Sequence, residues 1–326
     1  MAHNIDTMAY YGERPWHGLG TELKSPATAE EAIVAAGLSW QVEKWNLSAQ
    51  GMDLRKADVD KKKATVRADN GTVLGVVGEN YQVIQNTEAF GFFDSIVGEK
   101  AAMYHTAGSL GKGERVWILA KLPGEIRVAK DDVTEKFLLL ANSHDGTMAL
   151  KMFFSPVRVV CQNTLNMSLA DARDGISLRH SGDINRKIEQ ARKLLGITVK
   201  LYDEFEEMAQ ALVKKQMTEE MIRNFLKKVV PVKGDELTTR GENIRVAMWE
   251  KIETGKGNTL YGVKGTAWAA INGVIEYLDH ERTVKKDGGE IGVNELRLTS
   301  SWFGTSARTK AKAWDSILEV VQISRR

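Results

Sequence analysis

The sequence predicts an α+β fold with a strand-rich first part and a mainly helical second part. Up to about residue 180, short segments rich in β-branched residues alternate between apolar and polar side chains, which is typical of half-buried strands. From Asp183 the apolar residues recur every three or four positions, which is the spacing of an amphipathic helix. We therefore expect antiparallel strands with packed helices in residues 1–180 and mostly helices in residues 181–326, with a boundary near Ser181–Gly182 and a core that both parts can share.

Caps, turns and alternation place the elements of the first part. Thr28 and Glu31 have the spacing of a capping box and predict a short helix through Ala36. Residues 69–71, Asp-Asn-Gly, predict a tight turn, and Asn86 is predicted to cap a helix that ends at residue 97. Strands are predicted at residues 40–47, 64–67, 72–77, 115–122, 137–142 and 148–154.

The second part is predicted to be mainly helical. A helix is expected at residues 157–169, just after Pro156, and a long charged helix at residues 184–215. Polar residues at 280–295 predict a mobile loop. Further helices are predicted at residues 219–230, 241–253, 266–280 and 305–323.

Composition predicts a folded, cytoplasmic protein. The 326 residues are 43% hydrophobic and 27% charged, and only 5 are proline, which argues against long disordered stretches. We expect no membrane-spanning helix and no signal peptide. Cys161 is the single cysteine, so no internal disulfide can form. The net charge of +2 shows no overall basic bias, and a nucleic-acid surface would have to come from local clusters of cations.

Three strings distinguish the chain from an ordinary globular sequence. They are Pro15-Trp16-His17-Gly18-Leu19-Gly20, the segment Val-Arg-Val-Val-Cys-Gln-Asn-Thr-Leu-Asn at 157–166, and Ser301-Trp302-Phe303-Gly304 with the cations that follow it. With residues 1–8, 81–86 and 142–146, they make the chain resemble the phage/plasmid-like proteins of unknown function, the DUF-932 family. The resemblance covers nearly the whole chain, but the family name carries no established activity.

That resemblance implies a protein encoded in phages and mobile plasmids. Its plan of strands followed by helices is similar, in architecture, to that of the phage single-strand annealing recombinases. Such proteins assemble into rings or filaments and hold one strand in a basic, aromatic groove. They need neither a nucleotide nor a metal for annealing.

Two predicted strands combine cations with an aromatic side chain. Alternation places Arg115, Trp117 and Lys121 on one strand face, where Trp117 can stack on bases while the cations contact phosphates. Lys63 and Arg67 share a face of another strand in the same way. The alternative is a solvated sheet face on which a helix covers Trp117.

Two further groups of cations are candidate phosphate contacts. Lys112 lies in a glycine-rich turn that lacks the spacing of a P-loop but can form a basic hairpin against a phosphate backbone; a plain hairpin turn is the alternative. Arg308, Lys310 and Lys312 lie in the first turns of the last predicted helix, where free amides favour anions. A solvated helix face is the alternative there.

Three aromatic side chains are candidate interface anchors. Trp16 lies between Pro15 and His17, and Trp302 and Phe303 are adjacent. Tryptophan buries a large area at low entropic cost, which is typical of interface hot spots. Local packing of Trp16 against its own core is equally open.

A catalytic site is the remaining candidate. His144, Asp145 and Cys161 could supply a base, an orienting group and a nucleophile, although Asn-Ser-His-Asp-Gly is also an ordinary turn and Cys161 has the apolar neighbours of a core residue. The six histidines show no i, i+4 pair that would hold a metal. We expect no metal and no cofactor.

The leading hypothesis is a homo-oligomeric single-stranded DNA-binding protein and, more narrowly, a strand-annealing recombinase. The first alternative is an assembly or host-interaction protein without nucleic-acid binding. The second is a hydrolase at His144, Asp145 and Cys161.

Overall fold

The structure is a computed structural model that describes residues 5–12, 20–25, 27–52, 55–97, 103–158, 163–164, 175–182, 196–231, 238–283, 300–302 and 304–323. Its strands are β1 (Ile5–Tyr11), β2 (Thr21–Leu23), β3 (Val42–Gln50), β4 (Lys56–Arg67), β5 (Val73–Gly78), β6 (Met103–Leu110), β7 (Arg115–Ala129), β8 (Asp132–Ser143), β9 (Leu150–Phe154), β10 (Val157–Arg158), β11 (Asn163–Thr164) and β12 (Gly175–Leu178). Its helices are α1 (Ala29–Ala35), α2 (Asn86–Val97), α3 (Gly196–Lys214), α4 (Glu219–Val229), α5 (Thr239–Thr254), α6 (Ala267–Glu276), which continues as a π-helical turn (Tyr277–Glu281), and α7 (Thr305–Val320). Strands dominate the first half and helices the second, so the predicted α+β class is confirmed.

The chain packs as two compact units whose segments interleave along the sequence. The first unit comprises residues 1–122, 138–152 and 175–195, and the second comprises residues 123–137, 153–174 and 196–326. Strands β7 and β8 therefore each contribute residues to both units. The domain boundary expected near residues 181–182 stays a prediction.

The first unit contains two groups of paired strands. Strands β2, β1, β6 and the start of β7 pair in that order, with β1 and β2 parallel and the other pairs antiparallel. Strands β3, β4 and β5 form a separate antiparallel sheet. Helices α1 and α2 pack together, and Phe90, Phe93 and Ile118 are completely buried. Burial of such aromatic and β-branched side chains stabilises the unit.

The second unit is built around α6. Every residue of Ala267–Glu276 is buried, which matches its nearly continuous apolar sequence. The indole Nε1 of Trp268 donates a hydrogen bond to Asp132 Oδ2 at 2.8 Å, so the buried polar edge of the ring is satisfied. Phe205 of α3 stacks on Trp314 of α7, with ring centroids 5.5 Å apart.

Two of the predicted local signals, a helix cap and a turn, are confirmed, and a third differs. The capping box of Thr28 and Glu31 is present, and the 69–71 turn is confirmed, with Gly71 at a φ of +71°. Asn86 differs from its prediction as a cap, because it is the first residue of α2 itself. Its side chain reaches Leu38 O instead, at 2.9 Å.

The predicted helix at 157–169 is wrong where the structure describes it. Val157 and Arg158 form β10 and pair with Glu135 and Thr134 of β8, and residues 163–164 form β11 beside β10. Pairing with β8 satisfies backbone groups that a helix would have satisfied internally, so tertiary context decides. Residues 159–162, 165–169 and 184–195 lie outside the described residues, as does most of the predicted 280–295 loop.

Substitution of Gly108 by alanine should destabilise the first unit. A Cβ at Gly108 would lie 2.5 Å from the Trp117 ring and 2.6 Å from Thr7 O, and the backbone atom cannot move freely. We expect Gly108→Ala to lower the free energy of unfolding by about 1–3 kcal/mol, measured by urea denaturation. Gly78→Ala, at a strand glycine with open space around it, is the control and should have less than half that effect. Equal effects of the two substitutions would contradict the packing described here.

Candidate nucleic-acid interface

The outer part of the β3–β4 hairpin is exposed on both of its faces. In β3, residues 43–50 are exposed except for half-buried Leu47, and in β4 residues 56–62 are all exposed. The nine residues of β3 span roughly 30 Å at about 3.3 Å per residue. A two-stranded hairpin with no buried face is marginally stable by itself, and this exposed part of the chain, residues 43–52 and 55–62, is available for contact with a partner. We call it the ribbon.

Trp45 lies at the base of the ribbon on the outer face of the three-stranded sheet. Cross-strand register places Trp45, Ala64 and Val76 in one row, and residues directly opposite each other share a face. The Trp45 side chain is 48% exposed and that of Val76 is 55% exposed. The indole Nε1 donates to Glu43 Oε2 at 2.8 Å, which orients the ring on the sheet.

Cations outnumber anions on these two strands. Strands β3 and β4 carry six basic residues and three acidic residues, whereas the whole chain has a net charge of only +2. Three of the cations are consecutive, Lys61, Lys62 and Lys63. A local positive surface beside an exposed aromatic ring is the arrangement that single strands of nucleic acid bind.

Lys63 and Arg67, both predicted phosphate contacts, are engaged within the chain. Lys63 Nζ donates to Asn46 Oδ1 at 2.5 Å across the ladder. Arg67 is only 8% exposed; it pairs with Asp6 at 2.7 Å and with Asp69 at 2.8 Å. Burial by itself would lower the pKa of Arg67, but hydrogen bonds to the two carboxylates outweigh it and raise the pKa. Arg67 is therefore a structural cation, and the prediction that it contacts phosphate is not supported.

Lys112 and Arg115 flank the β6–β7 turn. Lys112 is exposed, and its carbonyl accepts a hydrogen bond from Arg67 Nη1 at 3.0 Å. Arg115 is half-buried, and its Nη2 donates to Thr147 Oγ1 at 3.3 Å. The turn thus presents the Lys112 ammonium to solvent, as a basic hairpin requires.

Trp117 does not form the predicted stacking surface. Its side chain is 2% exposed, because the ring packs over Gly108, its cross-strand neighbour on β6. A ring enclosed in this way cannot stack on a base. In the structure Trp117 is a covered core residue. Lys121, on the same strand, is half-buried opposite Met103.

The three cations of α7 do not share one helix face. Arg308 and Lys312 are exposed, but Lys310 is 2% exposed and forms an ion pair with Asp279. Lys310 Nζ also donates to Ser301 Oγ at 2.6 Å. Burial lowers the pKa of Lys310, while the carboxylate of Asp279 opposes this shift. Lys310 therefore cannot reach a phosphate, whereas Arg308 and Lys312 remain candidates.

The predicted interface aromatics are only partly described. Trp302 is 6% exposed and so packs within the chain. A buried ring cannot anchor a contact at the surface, so local packing explains Trp302 better. Trp16 and Phe303 lie outside the described residues.

The histidine of the proposed hydrolase site is enclosed. His144 has no exposed surface, and its Nε2 lies 2.9 Å from Asn86 Oδ1. Because Asn86 Oδ1 can only accept, the proton of the neutral ring is on Nε2. Asp145 accepts hydrogen bonds from Ser143 and Thr147, and Cys161 lies outside the described residues. These positions leave His144 without access to a substrate and give the hydrolase hypothesis no support.

Burial also sets the charge state of His144. Desolvation lowers its pKa to about 3 from 6.5, and repulsion by His180 adds to the shift, against the opposing attraction of Asp145. The ring is therefore neutral in the folded protein at neutral pH. Its role is to fill the space beside Trp40, whose ring it meets edge-on at 5.4 Å.

Within the described ranges, no group of three or more His, Cys, Asp or Glu side chains could hold a metal ion. No helix within them is long and apolar enough to cross a membrane.

Sequence analysis missed Trp45 as a functional candidate. The predicted strand at 40–47 contained it, and alternation placed it on one face with Glu43. Nothing in the sequence indicates that the Trp45 side chain is 48% exposed while that of Trp117 is only 2% exposed. The run of lysines at 61–63 was the available signal, but only Lys63 was singled out.

Removal of the Lys310 ammonium should destabilise the second unit. Lys310→Ala leaves Asp279 buried without its cation, and a buried ion pair that loses one partner costs about 3–5 kcal/mol of unfolding free energy. Lys312→Ala, two residues along the same helix at an exposed position, should change it by less than about 0.5 kcal/mol. Urea denaturation of both variants is the measurement; a loss for Lys312→Ala as large as that for Lys310→Ala would contradict the ion pair's role.

Acid should destabilise the first unit through His144. The unfolded chain takes up a proton on His144 near its ordinary pKa of 6.5, whereas the folded chain does so only near 3. Stability from this group is fully present above 6.5 and is lost as the pH falls towards 3, by up to about 1.4 kcal/mol per pH unit. His144→Gln, which cannot titrate, should lack this part of the pH dependence in urea denaturation at pH 7.5, 6.0 and 5.0. A wild-type-minus-variant difference that is constant with pH would contradict it.

Comparison with known proteins identifies a family and nothing further. A family model described as a domain of unknown function, DUF932, matches residues 73–302, which is more than two thirds of the chain. Strands β3 and β4 precede the matched region, and β5, α2 and the strands and helices up to residue 302 lie within it. No curated protein and no solved structure matches the chain. On the extent of this match, the chain belongs to the DUF932 family of proteins of unknown function.

Proposed function

We propose that this protein binds single-stranded DNA on the outer face of the β3–β4–β5 sheet and along the ribbon. The observation that carries the proposal is Trp45, a large aromatic ring that is 48% exposed at the base of a cationic hairpin. Stacking of one base on such a ring contributes about 1–3 kcal/mol and tolerates any sequence. The site therefore differs from the Arg115, Trp117 and Lys121 face expected from the sequence.

Cations of the ribbon complete the proposed site. Lys61 and Lys62 are exposed on the same strand that carries Ala64, the cross-strand neighbour of Trp45. Each phosphate that a lysine neutralises releases a counterion, so binding weakens as salt rises, with a log–log slope of about −0.7 per contact. Lys112 is exposed in the same unit and can extend the contact, whereas Arg308 and Lys312 are exposed in the second unit and are separate candidates.

The narrower proposal is strand annealing by a homo-oligomer. The α+β architecture and an exposed aromatic platform support it, because annealing requires a strand held by its backbone with its bases open to a second strand. Annealing of complementary labelled strands and the mass of the native protein in solution test this part separately from binding.

A protein contact is the second candidate for the same face. Val73 is 51% exposed and Val76 is 55% exposed beside Trp45, so the outer face is apolar as well as aromatic. An assembly or host-interaction surface would use these two valines as much as the ring. Val73→Thr with Val76→Thr would then change the mass in solution without changing DNA affinity.

Trp45→Ala should weaken binding of a fluorescently labelled single-stranded oligonucleotide by roughly 5- to 150-fold in anisotropy titrations, because one stacking partner is lost. Tyr261→Ala removes an aromatic ring that is more exposed than Trp45, at 95%, but lies in the second unit; it is the control and should leave the affinity unchanged. The affinity of the wild type for the single-stranded oligonucleotide should be lower at the higher of two salt concentrations, and its affinity for a duplex should be weaker than for the single strand. Unchanged affinity of Trp45→Ala, or a flat salt response, would overturn the proposal.

A further inference from the structure

A cleft lies in the first unit beside the end of β5. Its volume is about 380 Å³, within the range of small-molecule sites, and five of its lining residues offer chemistry to a ligand. These are Lys61, Glu79, Asn80, Tyr81 and His180. The set combines an aromatic wall, a cation, an amide and a carboxylate.

A large bulge in β4 places Lys61 at the cleft. Register runs from Asn46 opposite Lys63 to Ser48 opposite Asp58, so β4 advances five residues while β3 advances two. Lys61 has a φ of +59°, which a lysine adopts at a cost of about 1–3 kcal/mol. Its carbonyl accepts the Glu79 amide at 3.2 Å, which holds the bulge against the cleft wall. Bulges of this kind re-aim side chains, and strained backbone persists where the surrounding structure enforces it.

Tyr81 and His180 form a rigid aromatic wall. Their rings stack with centroids 4.7 Å apart and planes inclined by 14°. Tyr81 Oη donates to Ser143 O at 2.8 Å, and the His180 ring Nδ1 lies 3.0 Å from Gln82 O, so both rings are held in place. A wall that is fixed before binding costs a ligand little ordering entropy.

The polar side chains of the cleft are not used by the fold. Among the described residues, no hydrogen bond or ion pair engages the side chains of Lys61, Glu79 or Asn80. Lys44 adds a second cation at the rim, where its Nζ donates to Glu79 O at 3.2 Å and to Tyr81 O at 2.9 Å. Two lysines against one carboxylate favour a ligand with a single negative group.

We infer that this cleft holds one nucleotide of the bound strand, with its phosphate on Lys61 and its base between the half-buried Tyr81 ring, which the buried His180 ring supports, and the Asn80 amide. Asparagine offers a donor and an acceptor to the edge of a base, and aromatic side chains bind unpaired bases. The inference rests on the proposed function. Lys61 is three residues from Ala64, the neighbour of Trp45, or roughly 10 Å along the strand, so one DNA strand can reach both places.

Substitution of adjacent lysines separates the cleft from the ribbon. Lys61→Asn removes the cation from the cleft and places there a residue that tolerates a positive φ. Lys62→Asn removes the same charge from the next residue, whose side chain does not line the cleft. Lys61→Asn should weaken oligonucleotide binding roughly tenfold, as expected for the loss of one charge-assisted hydrogen bond. Lys62→Asn removes one exposed phosphate contact of the ribbon and leaves the cleft intact, so it should weaken binding by only about two- to fivefold. Thermal unfolding of both variants checks that the fold is kept.

Thymidine 5′-monophosphate tests the cleft without the rest of the strand. It should shift the ring NMR signals of His180 in the wild type and in Lys62→Asn, but not in Lys61→Asn. If the two lysine variants bind oligonucleotide equally and the His180 signals do not move, while Trp45→Ala still weakens binding, the cleft inference is overturned and the proposed function stands. If no oligonucleotide binds at low salt, the proposed function is overturned and the cleft inference with it.

Discussion

One guanidinium group holds the first unit together at the point from which the candidate interface extends. Arg67 ends β4, lies with its guanidinium carbon 4.5 Å from the centre of the Trp40 ring, and bonds to Asp6 of β1, to Asp69 of the following turn and to the carbonyl of Lys112. Its planar fork suits several acceptors at once, which a lysine ammonium could not match. The charge is buried but paired with two carboxylates, which offset the cost of removing it from water. The three-stranded sheet is thereby fixed at its inner end.

Anchoring at one end explains how the ribbon can be exposed along its length. Val66 and Thr65 are completely buried near Arg67, whereas β4 is exposed from Lys62 outwards. A hairpin without a buried face gains little from the hydrophobic effect and depends on such an anchor. Its lysines therefore contribute little to stability, which leaves them available for an anionic partner. Trp45 lies where the anchored and exposed parts meet, and there the ring is both held and accessible.

Burial separates cations and aromatic rings that are equivalent in the sequence. Trp117 and Trp45 both lie in alternating strands beside basic residues, but one is 2% exposed and the other 48%. Lys310 and Lys312 are two residues apart on α7, and only Lys312 faces water because successive helix positions point in different directions. Sequence reasoning predicted strands within β4 and β7 and a helix at α7. It could not determine which face of each segment another element covers.

Sequence alone determined the α+β class, the capping box of α1, the 69–71 turn, helices such as α2 and α4 and the family, because these depend on local periodicity, caps and strings of adjacent residues. It did not predict strands such as β1 and β6, and it predicted a helix for Val157 and Arg158, which pair with β8. In β6, position 108 has room only for glycine because the Trp117 ring of β7 lies against it. Tertiary structure alone decided the burial of Arg67, Trp117 and Lys310, the exposure of the Trp45 side chain and the position of the cleft beside the β4 bulge. Each of these depends on groups far apart in the chain, whose approach is decided by packing and hydrogen bonding rather than by local preference.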